Sequence, residues 1–92
     1  MFKEEMKMKS FSYTVKDELG IHARPAGLFV KEAAAFPCKV TIEKDGKEAD
    51  AKRIFGVMGL GVKCGEEITV CTDGENEEAA SAAIEAFLKA NL

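Results

Sequence analysis

The sequence predicts an α+β layered domain, with helices laid on one face of a small antiparallel sheet. Three observations point there. Segments with period-two hydrophobic alternation are interleaved with segments of helical period. Asp45-Gly46 supplies a hairpin turn dipeptide between two strand-like runs. A chain of 92 residues has room for one hydrophobic core and no second domain.

Each element has its own justification. Residues 11–15 (FSYTV) alternate Phe11, Tyr13 and Val15 on one face, as a half-buried strand does. Over 24–35 the apolar residues Ala26, Phe29, Val30 and Ala33 fall at i, i+3, i+4 and i+7. Pro25 sits where a first-turn proline is tolerated, and Phe36-Pro37 ends the helix. Residues 39–44 alternate Val40 and Ile42 before the Asp45-Gly46 turn, and 47–51 (KEADA) form a weak return strand that reads as an edge. One or two helical turns are predicted over 54–58, ahead of Gly59 and Gly61. A fourth strand over 67–72 turns Ile68 and Val70 inward. The last helix, 77–92, has the stripe Ala80, Ala83, Ile84, Phe87 and Leu88, with Glu77 and Glu78 well placed in its first turn. Residues 1–7 read as a loose extension ahead of an 8–92 domain, and Met8 offers an alternative start.

Composition excludes several functions. Thirteen basic against sixteen acidic residues leave a net charge of −3, which argues against a general nucleic-acid binder. No Trp and a single Tyr leave little to stack on bases. No apolar run approaches the roughly 18 residues of a membrane span, and the amino end lacks a signal-peptide core, so a cytoplasmic location without membrane insertion is expected. Cys38, Cys64 and Cys71 lack CxxC spacing, and with one histidine they form no zinc set. They are expected to be buried or idle reduced thiols, and neither metal nor cofactor is implied. The run Gly56-Val57-Met58-Gly59-Leu60-Gly61 fits neither a dinucleotide fingerprint nor a P-loop.

The chemistry-bearing segment is Gly20-Ile21-His22-Ala23-Arg24-Pro25-Ala26, a loop entering a helix. A side chain there faces the unpaired amides and positive end of that helix. This end resists protonation of an imidazole and keeps a ring nitrogen nucleophilic near neutral pH. The same amides, with Arg24 beside them, cradle a phosphoryl group. On spacing alone, a histidine opening a helix also reads as a capping or surface residue.

That segment resembles the active-site signature of the HPr family, the histidine phosphocarriers of the bacterial sugar phosphotransferase system. Lys52-Arg53-Ile54-Phe55-Gly56-Val57-Met58-Gly59-Leu60-Gly61 resembles the family's second signature, and the two stand in register. The resemblance implies an open-faced sandwich, a four-stranded antiparallel sheet covered on one face by three helices. It also implies a relay. Enzyme I would phosphorylate Nδ1 of His22, and the group would pass to sugar-specific A components. Arg24 matches the arginine that steadies the phosphohistidine, while Ala23 and Pro25 match the helix start. Gly27, Leu28, Ile54, Phe55 and Met58 match an exposed apolar docking patch, although their spacing alone also suits core residues. Lys31 and Lys52 would stand near it, suited to acidic partner surfaces or simply solvated. A stoichiometric carrier, monomeric so that its face stays open, is implied in preference to a turnover enzyme.

One position departs from the pattern. Arg53 stands where many relatives carry a serine phosphorylated by a regulatory kinase. It has no hydroxyl to modify, and it puts a cation at the less favourable end of a helix. It is either a contact for an acidic partner or neutral drift. HPr-like proteins acting only as regulators lose the histidine and keep the serine, the reverse of this chain. A regulatory interaction module, or a carrier in a nitrogen-related phosphorelay, remains the alternative.

Overall fold

The computed structural model describes residues 8–21 and 23–92. The expected extension 1–7 and His22 lie outside the described residues. The elements run β1 (Met8–Thr14), α1 (Ala23–Ala34), β2 (Lys39–Lys44), β3 (Lys47–Asp50), α2 (Ile54–Gly59), β4 (Glu67–Asp73) and α3 (Glu77–Asn91). The strands form one sheet in the order β1-β4-β2-β3, and each neighbouring pair is antiparallel. This is the four-stranded, three-helix open-faced arrangement expected.

Alternation decides which face is covered. Val40 and Ile42 of β2, and Ile68, Val70 and Thr72 of β4, are completely buried. The register sets Ile42 and Phe11 on either side of Val70, with Tyr13 opposite Ile68, so β1 adds half-buried aromatics to the same face. Onto it α1 lays Ala26, Phe29 and Ala33, and α3 lays Ala80, Ile84 and Leu88. The Phe29 and Phe87 rings lie 6.2 Å apart between the two helices. Full burial of a side chain the size of Phe29 or Ile42 contributes about 1.5–3 kcal/mol. Thr72, a buried polar residue in this core, donates its hydroxyl to the Glu77 carbonyl at 2.9 Å.

Boundaries shift where periodicity is silent. The first strand begins at Met8, three residues before the predicted 11–15, because Met8, Lys9 and Ser10 pair with Asp73, Thr72 and Cys71. Val15 falls just past the strand yet stays buried, bonded through its N–H to Glu66 (3.0 Å) and its carbonyl to Gly65 (2.7 Å). At the other edge β3 ends at Asp50, and buried Ala51 donates to the Val40 carbonyl. Asp45 and Gly46 both have positive φ, 52° and 83°, the conformation a two-residue hairpin of this hand requires.

Two local structures position the site. In the β1–α1 loop, Lys16 and Asp17 donate their N–H groups to the Leu92 carbonyl, Gly20 donates to Asp17, and Ile21 donates to Val62 at 3.1 Å. Gly20 has φ +69°, and a Cβ there would meet the Val62 carbonyl oxygen at 2.2 Å and Lys63 Cα at 2.7 Å. Only glycine lets these two backbones lie so close. Behind Val62, the Lys44 ammonium bridges the carbonyls of Leu60 and Gly61 and the Glu66 carboxylate, at 3.3, 3.1 and 3.0 Å.

Candidate functional site

The loop that carries Gly20 and Ile21 into α1 is anchored before the helix begins. Ile21 is buried and bonded to Val62, and α1 starts at Ala23. His22 occupies the one position between them in the sequence. Ala23 and Arg24 are exposed, while Pro25 and Ala26 turn inward. No acidic residue stands in the first turn of α1. An anion approaching there meets the positive end of a twelve-residue helix, with no carboxylate in its first turn to compete.

Arg24 lines an open depression of about 220 Å³ with Asp17, Pro25, Leu28 and Asn91. Asp17 and Asn91 belong to neither signature segment. Asp17 accepts the Leu19 N–H on Oδ1 at 2.9 Å, and Asn91 donates from Nδ2 to the Phe87 carbonyl at 2.9 Å. Their proximity to Arg24 arises from folding the last turn of α3 against the β1–α1 loop, and no local motif announces it.

Beside the helix start, the short helix α2 has two faces. Val57 is buried and Ile54 is partly buried against the core. Phe55 is 87% exposed, Met58 38% and, on α1, Leu28 47%. The core alternative for Phe55 and Met58 is thereby set aside, whereas Ile54 has one side in the core. Gly27 explains how the helices approach: a Cβ there would already touch Ile54 Cδ1 at 3.8 Å. Leu19, 71% exposed in the preceding loop, is a further exposed apolar side chain that the reading missed because it lies in no periodic segment. Lys31 is exposed. Lys52 differs from expectation: its ammonium holds an internal partner, donating to the Phe36 carbonyl just past α1 at 2.8 Å.

Arg53 is the N-cap of α2, in extended conformation (φ −123°, ψ 119°), with no side-chain bond to the helix. Its Nε lies 3.9 Å from Asp50 Oδ2, with the guanidinium side chain 81% exposed. Asp50 also accepts the Lys52 N–H at 2.9 Å, shaping the turn into the helix.

The three thiols are unpaired and differ in exposure. Cys38 is buried and Cys71 half-buried, but Cys64 is exposed, its Sγ 3.7 Å from the Lys16 carbonyl. Burial, reinforced by Glu48, Asp73 and Glu43, pushes the Cys71 thiol up, away from the reactive thiolate. Glu66 is held below the ordinary carboxylate value by the Lys63 N–H and then by the Lys44 ammonium.

Comparison with known proteins accords with this geometry. The family model described as "PTS HPr component phosphorylation site" matches residues 9–90. The HPr-like protein Crh of Halalkalibacterium halodurans is 47% identical over 75 residues, covering 82% of this chain and 89% of its own. The phosphocarrier protein HPr of Mycoplasma genitalium is 41% identical over 85 residues, covering 91% and 97%. Among solved structures, HPr from Bacillus anthracis superimposes with a TM-score of 0.83 at 42% identity, covering 88% of this chain and 96% of that one. An HPr dimer from Thermoanaerobacter tengcongensis gives 0.72 at 38% identity, covering 85% and 90%. With a family model spanning nearly its whole length and the same four-stranded open sheet, the chain belongs to the HPr family of phosphocarrier proteins.

Proposed function

We propose that this protein carries a phosphoryl group on His22, accepting it from phosphorylated enzyme I and donating it to sugar-specific A components of the phosphotransferase system. The observation that carries the reading is the helix start: an exposed Arg24 and a carboxylate-free first turn directly after the histidine position. In the accepting step, the lone pair of neutral imidazole Nδ1 attacks phosphorus in line. The N–P bond forms as the bond to the donor's nitrogen breaks, and the electron pair returns to the donor. The first-turn amides and Arg24 balance the charge on the phosphoryl oxygens. Delivery reverses the sequence toward the next acceptor. The partner completes the geometry, so the chain acts stoichiometrically, in the cytoplasm, and turns over no substrate of its own.

Leu28, Phe55 and Met58 form the apolar part of the docking face, and their exposure suits a surface covered only transiently. A monomer keeps this face open to each partner in turn. The T. tengcongensis dimer makes self-association the competing state, and sedimentation at working concentration separates the two.

A second reading has its own support, since an HPr-like Crh protein stands among the relatives. It would make the chain a regulator recognised through the α2 segment. Arg53 in place of a phosphorylatable serine, together with the retained His22, favours transfer. The test is intact mass after mixing with phosphoenolpyruvate, magnesium and catalytic enzyme I. One acid-labile phosphoryl group, absent in His22→Ala, is the expected result. No gain with a folded protein and several enzyme I sources would overturn the carrier reading.

A further inference from the structure

Charge is unevenly distributed over this fold. Residues 20–31 and 51–65, which carry the helix start and all of α2, hold five cations (Arg24, Lys31, Lys52, Arg53 and Lys63) and no carboxylate. The rest of the chain therefore holds eight basic and sixteen acidic residues. By strand alternation, Glu43, Glu48, Glu67 and Asp73, with Lys39 among them, point to the open face of the sheet, away from the helices. The molecule is thus polarised, positive around the starts of α1 and α2, with Glu32 further along α1, and negative across the bare sheet, which orients it toward an acidic surface.

Of the two cations that lead into α2, Arg53 is the one without a strong internal partner. Lys52 is tied to the Phe36 carbonyl. Arg53 makes no bond to the helix it caps, and its ion pair with Asp50, at 3.9 Å between exposed groups, lies beyond hydrogen-bond range. The positive end of α2 opposes a cation there. Two residues on, Phe55 is almost wholly exposed. A partner that covers Phe55 and Met58 also strips water from around the neighbouring guanidinium, where a facing carboxylate gains strength and a facing cation is rejected.

We propose that Arg53 is a specificity-determining contact of the docking face, pairing with a carboxylate on an acidic protein partner when the α2 apolar patch is covered. This rests on the carrier reading for the identity of the face, and on charge and exposure for the role of the residue. A guanidinium there makes docking selective for acidic partners, and it offers no hydroxyl for a serine kinase to phosphorylate.

The test uses the full chain and purified Bacillus subtilis enzyme I with phosphoenolpyruvate and magnesium. Initial rates of phosphorylation are taken against protein concentration for wild type, Arg53→Lys and Arg53→Glu, at 0.05 and 0.5 M NaCl. Arg53→Glu is expected to raise KM about 10-fold at low salt with kcat unchanged, and Arg53→Lys to stay within about twofold. At 0.5 M the screening length is roughly three times shorter, so the difference should shrink below about threefold. A KM for Arg53→Glu within twofold of wild type, or a salt-independent rise, would overturn the proposal. So would a fall in kcat alone, which would mean that Arg53 acts at the transferring group.

Titration of 15N-labelled protein with unphosphorylated enzyme I separates this from failure of the carrier reading. If the wild type takes no phosphoryl group, the carrier reading fails, and the titration still decides the role of Arg53. Binding weakened about 10-fold in Arg53→Glu supports it, and equal binding or none refutes it. Duplex DNA bound by wild type and released by Arg53→Glu would assign the cations to a phosphate backbone and also refute it.

Discussion

Replacing Arg53 by serine should make the protein more stable. The backbone at this N-cap is extended, no side-chain oxygen meets the first-turn amides of α2, and the first helical bond, from the Val57 N–H to the Arg53 carbonyl at 3.1 Å, is independent of the side chain. A serine hydroxyl at an N-cap accepts from the second or third amide of the helix, which is worth about 1 kcal/mol. Removing a cation from the positive end adds about 0.3 kcal/mol, the low end of the usual range, because α2 is six residues long and the guanidinium is exposed. The lost 3.9 Å ion pair between exposed groups subtracts at most about 0.5 kcal/mol. The balance is about 1 kcal/mol of stabilisation, or a rise in Tm of about 4–8 °C for a domain of this size. Calorimetric melts of wild type, Arg53→Ser and Arg53→Ala at pH 7 measure it, with the alanine variant removing the charge without supplying a cap. If Arg53→Ser melts at or below the wild-type temperature, the arginine has a stronger internal role than its geometry indicates. An external contact would then not be needed to account for the residue.

Three other outcomes follow from the structure. Gly20→Ala should destabilise the domain by more than the roughly 1–2 kcal/mol of a left-handed non-glycine residue, because its Cβ also collides with the Val62 carbonyl; a urea midpoint equal to wild type would contradict the packing described. Phe55→Glu should leave Tm within about 2 °C, since the side chain is exposed, while raising KM for enzyme I about 10-fold; unchanged kinetics would put the docking face elsewhere. Glu66 titrates below its ordinary value of 4.5 in the folded state, so its stabilising effect is complete above that pH and fades as pH falls through the lowered value. Urea melts from pH 7 down to 3 should therefore show a shallower acid loss in Glu66→Gln, and parallel profiles would argue against the Lys63 and Lys44 contacts.

The inward faces of the strands were legible because period two is a strong signal: Val40, Ile42, Ile68 and Val70 are all completely buried. The Asp45-Gly46 turn was equally plain, since few dipeptides accept two successive positive φ angles. Core residues outside the regular elements were harder to see. Val62 and Leu92 are buried through backbone bonds and loop packing, and neither has a sequence period. The same limit applied at the site. The signature segments drew attention to Arg24, Phe55 and Met58, but the approach of Asp17 and Asn91 to Arg24 depends on long-range closure. The internal anchoring of Lys52 depends on where Phe36 ends up relative to the turn before α2. A lysine facing a partner and a lysine tied to a carbonyl look alike in one dimension.

The position of β1 at the edge of the sheet has a consequence for how the chain acquires its structure. Among the described strands, β1 (residues 8–14) pairs with β4 (residues 67–73) alone, so it cannot pair until nearly sixty further residues are available. Such non-local pairing makes the domain fold more slowly than one built from local contacts. During synthesis at about 5–20 residues per second, β1 waits roughly 3–12 s for its partner. Over that interval the β2–β3 hairpin, closed locally by Asp45 and Gly46, can form, while Phe11 and Tyr13 have no sheet to lie on. The last strand to emerge is therefore the one that organises the first.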